Sequence, residues 1–252
     1  MIYFVSDFHF GIPDHDSSLR REKMFVDWLD KVKEDAIAIY IMGDLFDFWF
    51  EYKTVIPKGY ARLMGKLAEL TDRGISIHLF RGNHDIWAFD YLEKELGIQI
   101  HREPEIQLLK GKKFFLSHGD GLGPGDKGYK LLKSVFESRV NQWLYRWIHP
   151  DLGTWLGAYF SRRSRLTQMI LEGKTEFELR NPVDKEPMVI FSREMAAKDP
   201  SIDYFIFGHY HFPHILQVSE KAQCIILGDW VTRFSYARFD GEKVELKRWI
   251  EK

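Results

Sequence analysis

Apolar and polar positions along the chain fall into short β-branched and aromatic runs separated by stripes of helical period. The run 39–42 meets Gly43 and Asp44 at once, the pattern of a buried strand whose C-terminal end carries chemistry. Four other runs repeat the design. Residues 2–5 precede Asp7 and His9, and 75–80 precede Gly82-Asn83-His84-Asp85. Residues 114–116 precede His118-Gly119-Asp120, and 204–207 precede Gly208-His209-Tyr210-His211. Met24, Phe25, Trp28, Leu29 and Val32 predict an amphipathic helix over 20–34. Leu63, Met64, Leu67 and Leu70 predict another over 60–71, with Gly74 placed to end it. Lys110-Gly111-Lys112 reads as the turn of a hairpin over 106–117.

Between 121 and about 201 the strand rhythm stops. Leu131, Leu132, Val135, Phe136, Val140, Trp143, Leu144 and Trp147 predict a helix over 129–148. A second apolar segment, 152–160, runs into Arg162-Arg163-Ser164-Arg165, and a further helix is expected over 188–197. Strands are expected at 203–207, 222–227, 231–239 and 243–249, the last two joined at Asp240-Gly241. Strands alternating with helices predict one α/β domain over 1–252, with a helical cap inserted at about 121–201.

Composition narrows the function classes. The formal net charge of -1 argues against a dedicated nucleic-acid binder, which carries a basic domain. The single cysteine, Cys224, lies in an apolar run and reads as a small buried hydrophobe. No disulfide can form within the chain, which fits a reducing cytoplasm. With the first strand starting at residue 2, no cleavable leader is expected. No run approaches the ~18 apolar residues of a membrane span, so any membrane contact is expected to be peripheral. No obligate protein partner is expected. His78 falls inside its strand and reads as structural.

Asp, His and Asn are ligands for hard to borderline divalent cations. Asp7 and His9, two apart on extended backbone, face the same side and can grip one ion together. Asp7, His9, Asp44, Asn83, His118, His209 and His211 form the constellation. Two ions ~3.5–4 Å apart need a shared anion, and Asp44, alone at its strand end, fits that place. Asp7, His9 and one of His209 and His211 then complete one site; Asn83, His118 and the other histidine complete the second. A water held there would lose a proton near neutral pH and attack phosphorus in line. The apolar segments of 129–160 read either as a helical layer on the sheet or as a cap whose inner wall accepts a lipid, with arginines at its rim for phosphate.

Each short motif is weak alone, but the five in this order are specific. They resemble the calcineurin-like metallophosphoesterase superfamily, whose pattern runs D-x-H, GDxxD, GNHD/E, GH and GHxH. Here those are Asp7-Phe8-His9, residues 43–47, residues 82–85, His118 of His118-Gly119, and residues 208–211. The resemblance implies a four-layer αββα fold of two packed sheets flanked by helices. It places His211 with Asp7 and His9, and His209 with Asn83 and His118. Within the superfamily the chain resembles the UDP-2,3-diacylglucosamine pyrophosphatases of lipid A synthesis. That likeness rests on residues 43–46, on His118-Gly119-Asp120 followed by Asp126, Gly128 and Tyr129, on the helical insertion, and on residues 227–230. It implies hydrolysis of the lipid-linked nucleotide sugar to UMP and a diacylated sugar phosphate, with manganese, at the cytoplasmic face of the inner membrane. Asp126, Tyr129, Arg162, Arg163, Ser164 and Arg165, with Asn83, His84 and His209, would then hold phosphate and sugar. The chain departs from that pattern at a pair: members carry GDLFE and GNRD, where this chain has Asp47 and His84. A histidine oriented by an aspartate can protonate a leaving group. The alternative expectation is a metal-dependent phosphodiesterase or phosphatase acting on a soluble phosphoester.

Overall fold

The computed structural model describes residues 1–123, 127–172 and 183–249, apart from the side chains of 127 and 162–172. Its strands are β1 (Ile2–Val5), β2 (Ala38–Ile41), β3 (Ser76–Phe80), β4 (Gln99–His101), β5 (Glu105–Leu109), β6 (Lys112–Leu116), β7 (Tyr204–Phe207), β8 (His214–Gln217), β9 (Gln223–Ile226), β10 (Ser235–Phe239) and β11 (Val244–Arg248). The α-helices are α1 (His15–Val32), α2 (Ala61–Asp72), α3 (Tyr91–Leu96), α4 (Lys127–Glu137), α5 (Arg139–Arg146), α6 (Pro150–Glu172) and α7 (Pro187–Lys198).

Strand alternation builds the layers. Odd-facing residues of the first sheet, Tyr3, Val5, Ile39, Ile41 and Ile77, pack on Phe25, Trp28, Leu63 and Leu67 of α1 and α2. Their neighbours Phe4, Tyr40, Met42 and Phe80 turn the other way, against Phe114, Leu116, Ile206 and Ile225 of the second sheet. That sheet's outer face, Phe115, Phe205, Phe207 and Cys224, is covered by Met188, Val189 and Ala196 of α7. The result is a mixed α/β sandwich of two sheets flanked by helices. Strand order is β11-β10-β1-β2-β3-β4 in one sheet and β5-β6-β7-β9-β8 in the other. The parallel strands β1, β2, β3, β6 and β7 all end at one edge, and that edge gathers the turns that carry the expected ligands.

Several boundaries differ from the sequence expectation. Helix α1 begins at His15, because the Asp14 carboxylate accepts the Ser17 N–H at 2.8 Å and caps it there. The helix expected over 129–148 divides at Ser138, whose backbone is extended (φ -60, ψ 120). Its last carbonyls turn to side-chain donors: Phe136 O accepts from Trp87 Nε1 at 2.9 Å and from Gln142 Nε2 at 3.0 Å. The strand expected over 231–239 starts at Ser235, since Asp229 Oδ1 gathers the N–H groups of Val231, Thr232 and Arg233 into a turn. Helix α3 and the short strands β4 and β8 are additional. No helix among the described residues is long and apolar enough to cross a membrane.

Candidate metal and phosphoester site

The turns after the parallel strands carry unusual backbone. Asp7, His9, Asp44, His209 and His211 all have positive φ, between 45° and 65°. Non-glycine residues rarely adopt this left-handed region, and here it turns each side chain back over the strand ends. Two glycines explain why they precede ligands. A Cβ on Gly43 would lie 2.4 Å from His118 Nδ1, and its φ of +93 also favours glycine; one on Gly82 would lie 2.2 Å from Asp44 Oδ1.

The side chains converge in two groups. In the first, His211 Nε2 lies 3.2 Å from Asp7 Oδ1 and 3.3 Å from His9 Nε2. Asp7 Oδ2 accepts the His209 N–H at 2.9 Å, while Asp7 Oδ1 is buried with no hydrogen-bond partner. In the second, His118 donates Nδ1–H to the Met42 carbonyl at 2.6 Å, which turns Nε2 inward, 3.3 Å from Asn83 Oδ1 and 3.4 Å from Asp44 Oδ2. The same Asp44 oxygen lies 3.6 Å from His9 Nε2. One carboxylate oxygen thus stands between the two groups. Asp7, His9 and His211 form one set able to hold a cation, and Asp44, His118 and His209 another. His9, Asp44 and His84 also present ligand atoms within 4.8 Å of one another.

Electrostatics agree with a cation site. Burial works to raise the carboxyls of Asp7 and Asp44, yet the histidines around them, His211 and His118 first, hold both below the usual carboxylate range. Conversely, burial disfavours charge on His118 and His211, but Asp44 and Asp7 respectively lift them above the ordinary imidazole value. The site therefore draws positive charge inward. A buried carboxylate oxygen facing two imidazoles, an inward-turned imidazole nitrogen and an all-N/O donor set fit divalent cations.

Around this centre, His84 Nδ1 lies 2.8 Å from the main-chain carbonyl of Asp47, and the Asp47 carboxylate is farther, with Oδ1 at 3.9 Å. The His84 N–H donates to Asp44 Oδ1 at 3.0 Å. Tyr129 donates its hydroxyl to Asp120 Oδ2 at 2.5 Å, beside Lys133 Nζ at 2.8 Å. Asp126 lies outside the described residues. Arg162, Arg163, Ser164 and Arg165 belong to α6 by backbone, and their side chains also lie outside the description. Two clefts flank the centre. One of about 250 Å³ is bounded by His118, Arg81, Arg102, Lys130 and Lys133. The other, about 680 Å³, runs between 47–60 and α6, along Asp47, Phe48, Val55, Ile56 and Trp155.

Two contributors had not been assigned from sequence. Asp85 is buried and accepts the N–H groups of Leu45 and Gly82, each at 2.7 Å, tying the Asp44 turn to the Asn83 turn. It was legible as the last letter of its motif. Ser161 reaches Asp47 and His84 from α6, and its signal is subtler: a four-residue spacing from Gly153 and Gly157.

Residues 1–213 match the family model of calcineurin-like phosphoesterases, and the chain belongs to that family. At the level of individual relatives, a UDP-2,3-diacylglucosamine hydrolase of Porphyromonas gingivalis is 37% identical over 257 residues, 98% of this chain and 96% of that one. A UDP-2,3-diacylglucosamine hydrolase of Pseudomonas putida is 29% identical, covering 92% of each chain. Among solved structures, a dimetal phosphatase from Danio rerio covers 98% of this chain and 94% of its own at 13% identity, with a TM-score of 0.47. The phosphoesterase Yfce from E. coli covers 94% and 86% at 16% identity, with a TM-score of 0.44.

Proposed function

We propose that this chain is a hydrolase that cleaves the pyrophosphate of UDP-2,3-diacylglucosamine, releasing UMP and a diacylated glucosamine 1-phosphate. The observation that carries the chemistry is the Asp44 oxygen, 3.6 Å from His9 and 3.4 Å from His118, a single carboxylate between two ligand sets. The near full-length likeness to hydrolases named for this substrate supports its identity. Two divalent ions, manganese by preference, would be held by Asp7, His9 and His211 on one side and by Asn83, His118 and His209 on the other, with Asp44 shared. Bound there, such ions neutralise phosphoryl oxygens and activate water. With Nδ1 on the Asp47 carbonyl, His84 leaves Nε2 for the substrate's phosphate or leaving oxygen. Tyr129, held by its hydrogen bond to Asp120, would bind the sugar-phosphate end together with Asp126 and residues 162–165.

The helices α4 to α6 form the apolar side of this reading. Trp143, Trp147 and Trp155 are 57%, 73% and 60% exposed, with Leu131, Val140 and Phe160 also exposed. So much aromatic surface suits peripheral contact with a bilayer at the face where the lipid substrate resides. The test is UMP release under manganese from UDP-diacylglucosamine against UDP-N-acetylglucosamine. Each buried methylene contributes about 0.8 kcal/mol, so the acylated substrate should show a specificity constant at least a hundredfold higher. Equal constants would leave a phosphoesterase of soluble substrates in its place.

A further inference from the structure

Helix α6 carries Gly153, Gly157 and Ser161 at four-residue spacing, so the three share one face. A Cβ on Gly157 would lie 2.1 Å from Phe48 Cε2, and one on Gly153 2.0 Å from the Tyr52 hydroxyl. The helix backbone therefore lies directly on the segment that follows Asp47. One turn onward, the small side chain is a hydroxyl. Ser161 Oγ donates to Asp47 Oδ2 at 2.8 Å and lies 3.2 Å from His84 Nδ1. The Asp47 carbonyl, 2.8 Å from the same Nδ1, can only accept, so the proton resides on Nδ1. Ser161 then acts as a donor to the carboxylate and as a second acceptor for the imidazole N–H. Asp47, His84 and Ser161 close a three-membered hydrogen-bonded unit, two members in the sheet-end turns and one on α6.

We propose that Ser161 is a positioning residue. The Asp47 carbonyl fixes the Nδ1–H tautomer, and Ser161 adds the second acceptor that holds the ring plane with Nε2 directed at the ligand cluster, only while α6 is seated on residues 48–52. The chemistry of His84 is thereby tied to the placement of the helix that bounds the larger cleft. This inference rests on the reading of His84 as the group that acts on the substrate. It also gives the Asp47 and His84 pair a common purpose: a shorter acid and a planar ring leave room for a hydroxyl from the helix between them.

The experiment compares Ser161→Ala, Ser161→Thr, His84→Ala and the Ser161→Ala/His84→Ala double variant, all manganese-loaded, with UDP-diacylglucosamine as substrate. Ser161→Ala should lose about tenfold in kcat, the scale of one hydrogen bond, with KM within about twofold and metal content unchanged. Ser161→Thr, which keeps the hydroxyl, should recover most of that loss. In the His84→Ala background, removing Ser161 should cost nothing further. A second readout needs no turnover: nitrogen-detected NMR of the metal-free protein should show His84 protonated at Nδ1 in both proteins, with a shifted Nδ1 resonance and a more mobile ring in Ser161→Ala. If Ser161→Ala slows the His84→Ala enzyme as much as the wild type, or leaves the Nδ1 resonance and ring mobility unchanged, the positioning role is wrong. If instead His84→Ala alone retains full rate, the assignment of His84 fails, and the NMR comparison still decides whether Ser161 positions the ring.

Discussion

Asp85 offers a sharp test of how the two ligand turns are held together. Its carboxylate is buried and accepts two main-chain N–H groups at 2.7 Å, from Leu45 beside Asp44 and from Gly82 beside Asn83. Burial first, and then the facing Asp44 carboxylate, push its pKa from 3.8 up to about 6. At neutral pH the ionised group therefore costs the metal-free fold about 3 kcal/mol. Asp85→Asn would return that cost but lose one acceptor, leaving a buried N–H unsatisfied at about 1–3 kcal/mol. These terms nearly cancel, so the metal-free variant should unfold within about 2 kcal/mol of the wild type. Cations on Asp44 change the balance. They offset the repulsion that lifted Asp85, the return shrinks, and the missing acceptor is left uncompensated. By thermodynamic linkage the difference appears as weaker metal binding, about 10–100-fold, the usual range for groups that orient ligands. Urea unfolding of the metal-free proteins and calorimetric Mn²⁺ titration measure the two halves. Wild-type manganese affinity in Asp85→Asn, or a metal-free loss well above 3 kcal/mol, would refute the reasoning.

Three further outcomes are expected. His78, lowered to about 4 by burial and then by His101, is neutral in the fold, so its stabilising share is complete above pH 6.5 and is lost as pH falls toward 4. Allowing for its partial exposure, about 2 kcal/mol of the acid-limb slope in melting experiments should be missing from His78→Gln; an unchanged slope would place the titration elsewhere. Replacing both Trp143 and Trp147 by Ala should lower partitioning onto anionic vesicles at least tenfold, since two such rings can bury on the order of 200 Å²; undiminished binding would remove the helices from the membrane contact. His209 is exposed with φ 65, so in the metal-free protein His209→Gly should be about 1 kcal/mol more stable than His209→Ala, a gap of ~2–4 °C in Tm. The reverse order would show that left-handed strain is unimportant there.

Much of the fold was legible because buried strands leave plain traces. The runs ending at Val5, Ile41 and Phe207 are apolar on both faces, as parallel strands covered on both sides must be. What stayed hidden was stabilised from a distance. Helix α3 lacks a local side-chain cap; its first N–H groups, at Asp90 and Tyr91, are accepted by Glu51, about forty residues upstream. Strand β8 lies at a sheet edge with alternate residues exposed, and β4 spans only three residues, so neither carries an apolar run. The overlong strand expected at 231–239 failed for a local reason: β-branched Val231 and Thr232 favour extended backbone, but one carboxylate, Asp229, outbids that preference with three N–H bonds.

The site divides along the same line. Candidate ligands can be named from the motifs, because metal chemistry restricts residue type. Their geometry cannot, because it depends on a backbone state that sequence does not display. Five of the seven proposed ligands occupy the left-handed region at roughly 1–2 kcal/mol each, a cost no ordinary turn would accumulate without need. What holds them there is mutual: Asp7 Oδ2 anchors the His209 N–H, Asp44 Oδ1 anchors the His84 N–H, and the Asp44 carbonyl receives the N–H of both Phe8 and His9. Three of the turns that carry candidate ligands are thus fixed by a residue that is itself a candidate ligand. Loss of one should loosen the others, which is why effects of paired substitutions here should exceed or fall short of their sum. Strain of this kind is a cooperative property of the assembled strand ends, and it is where reading the chain residue by residue reaches its physical limit.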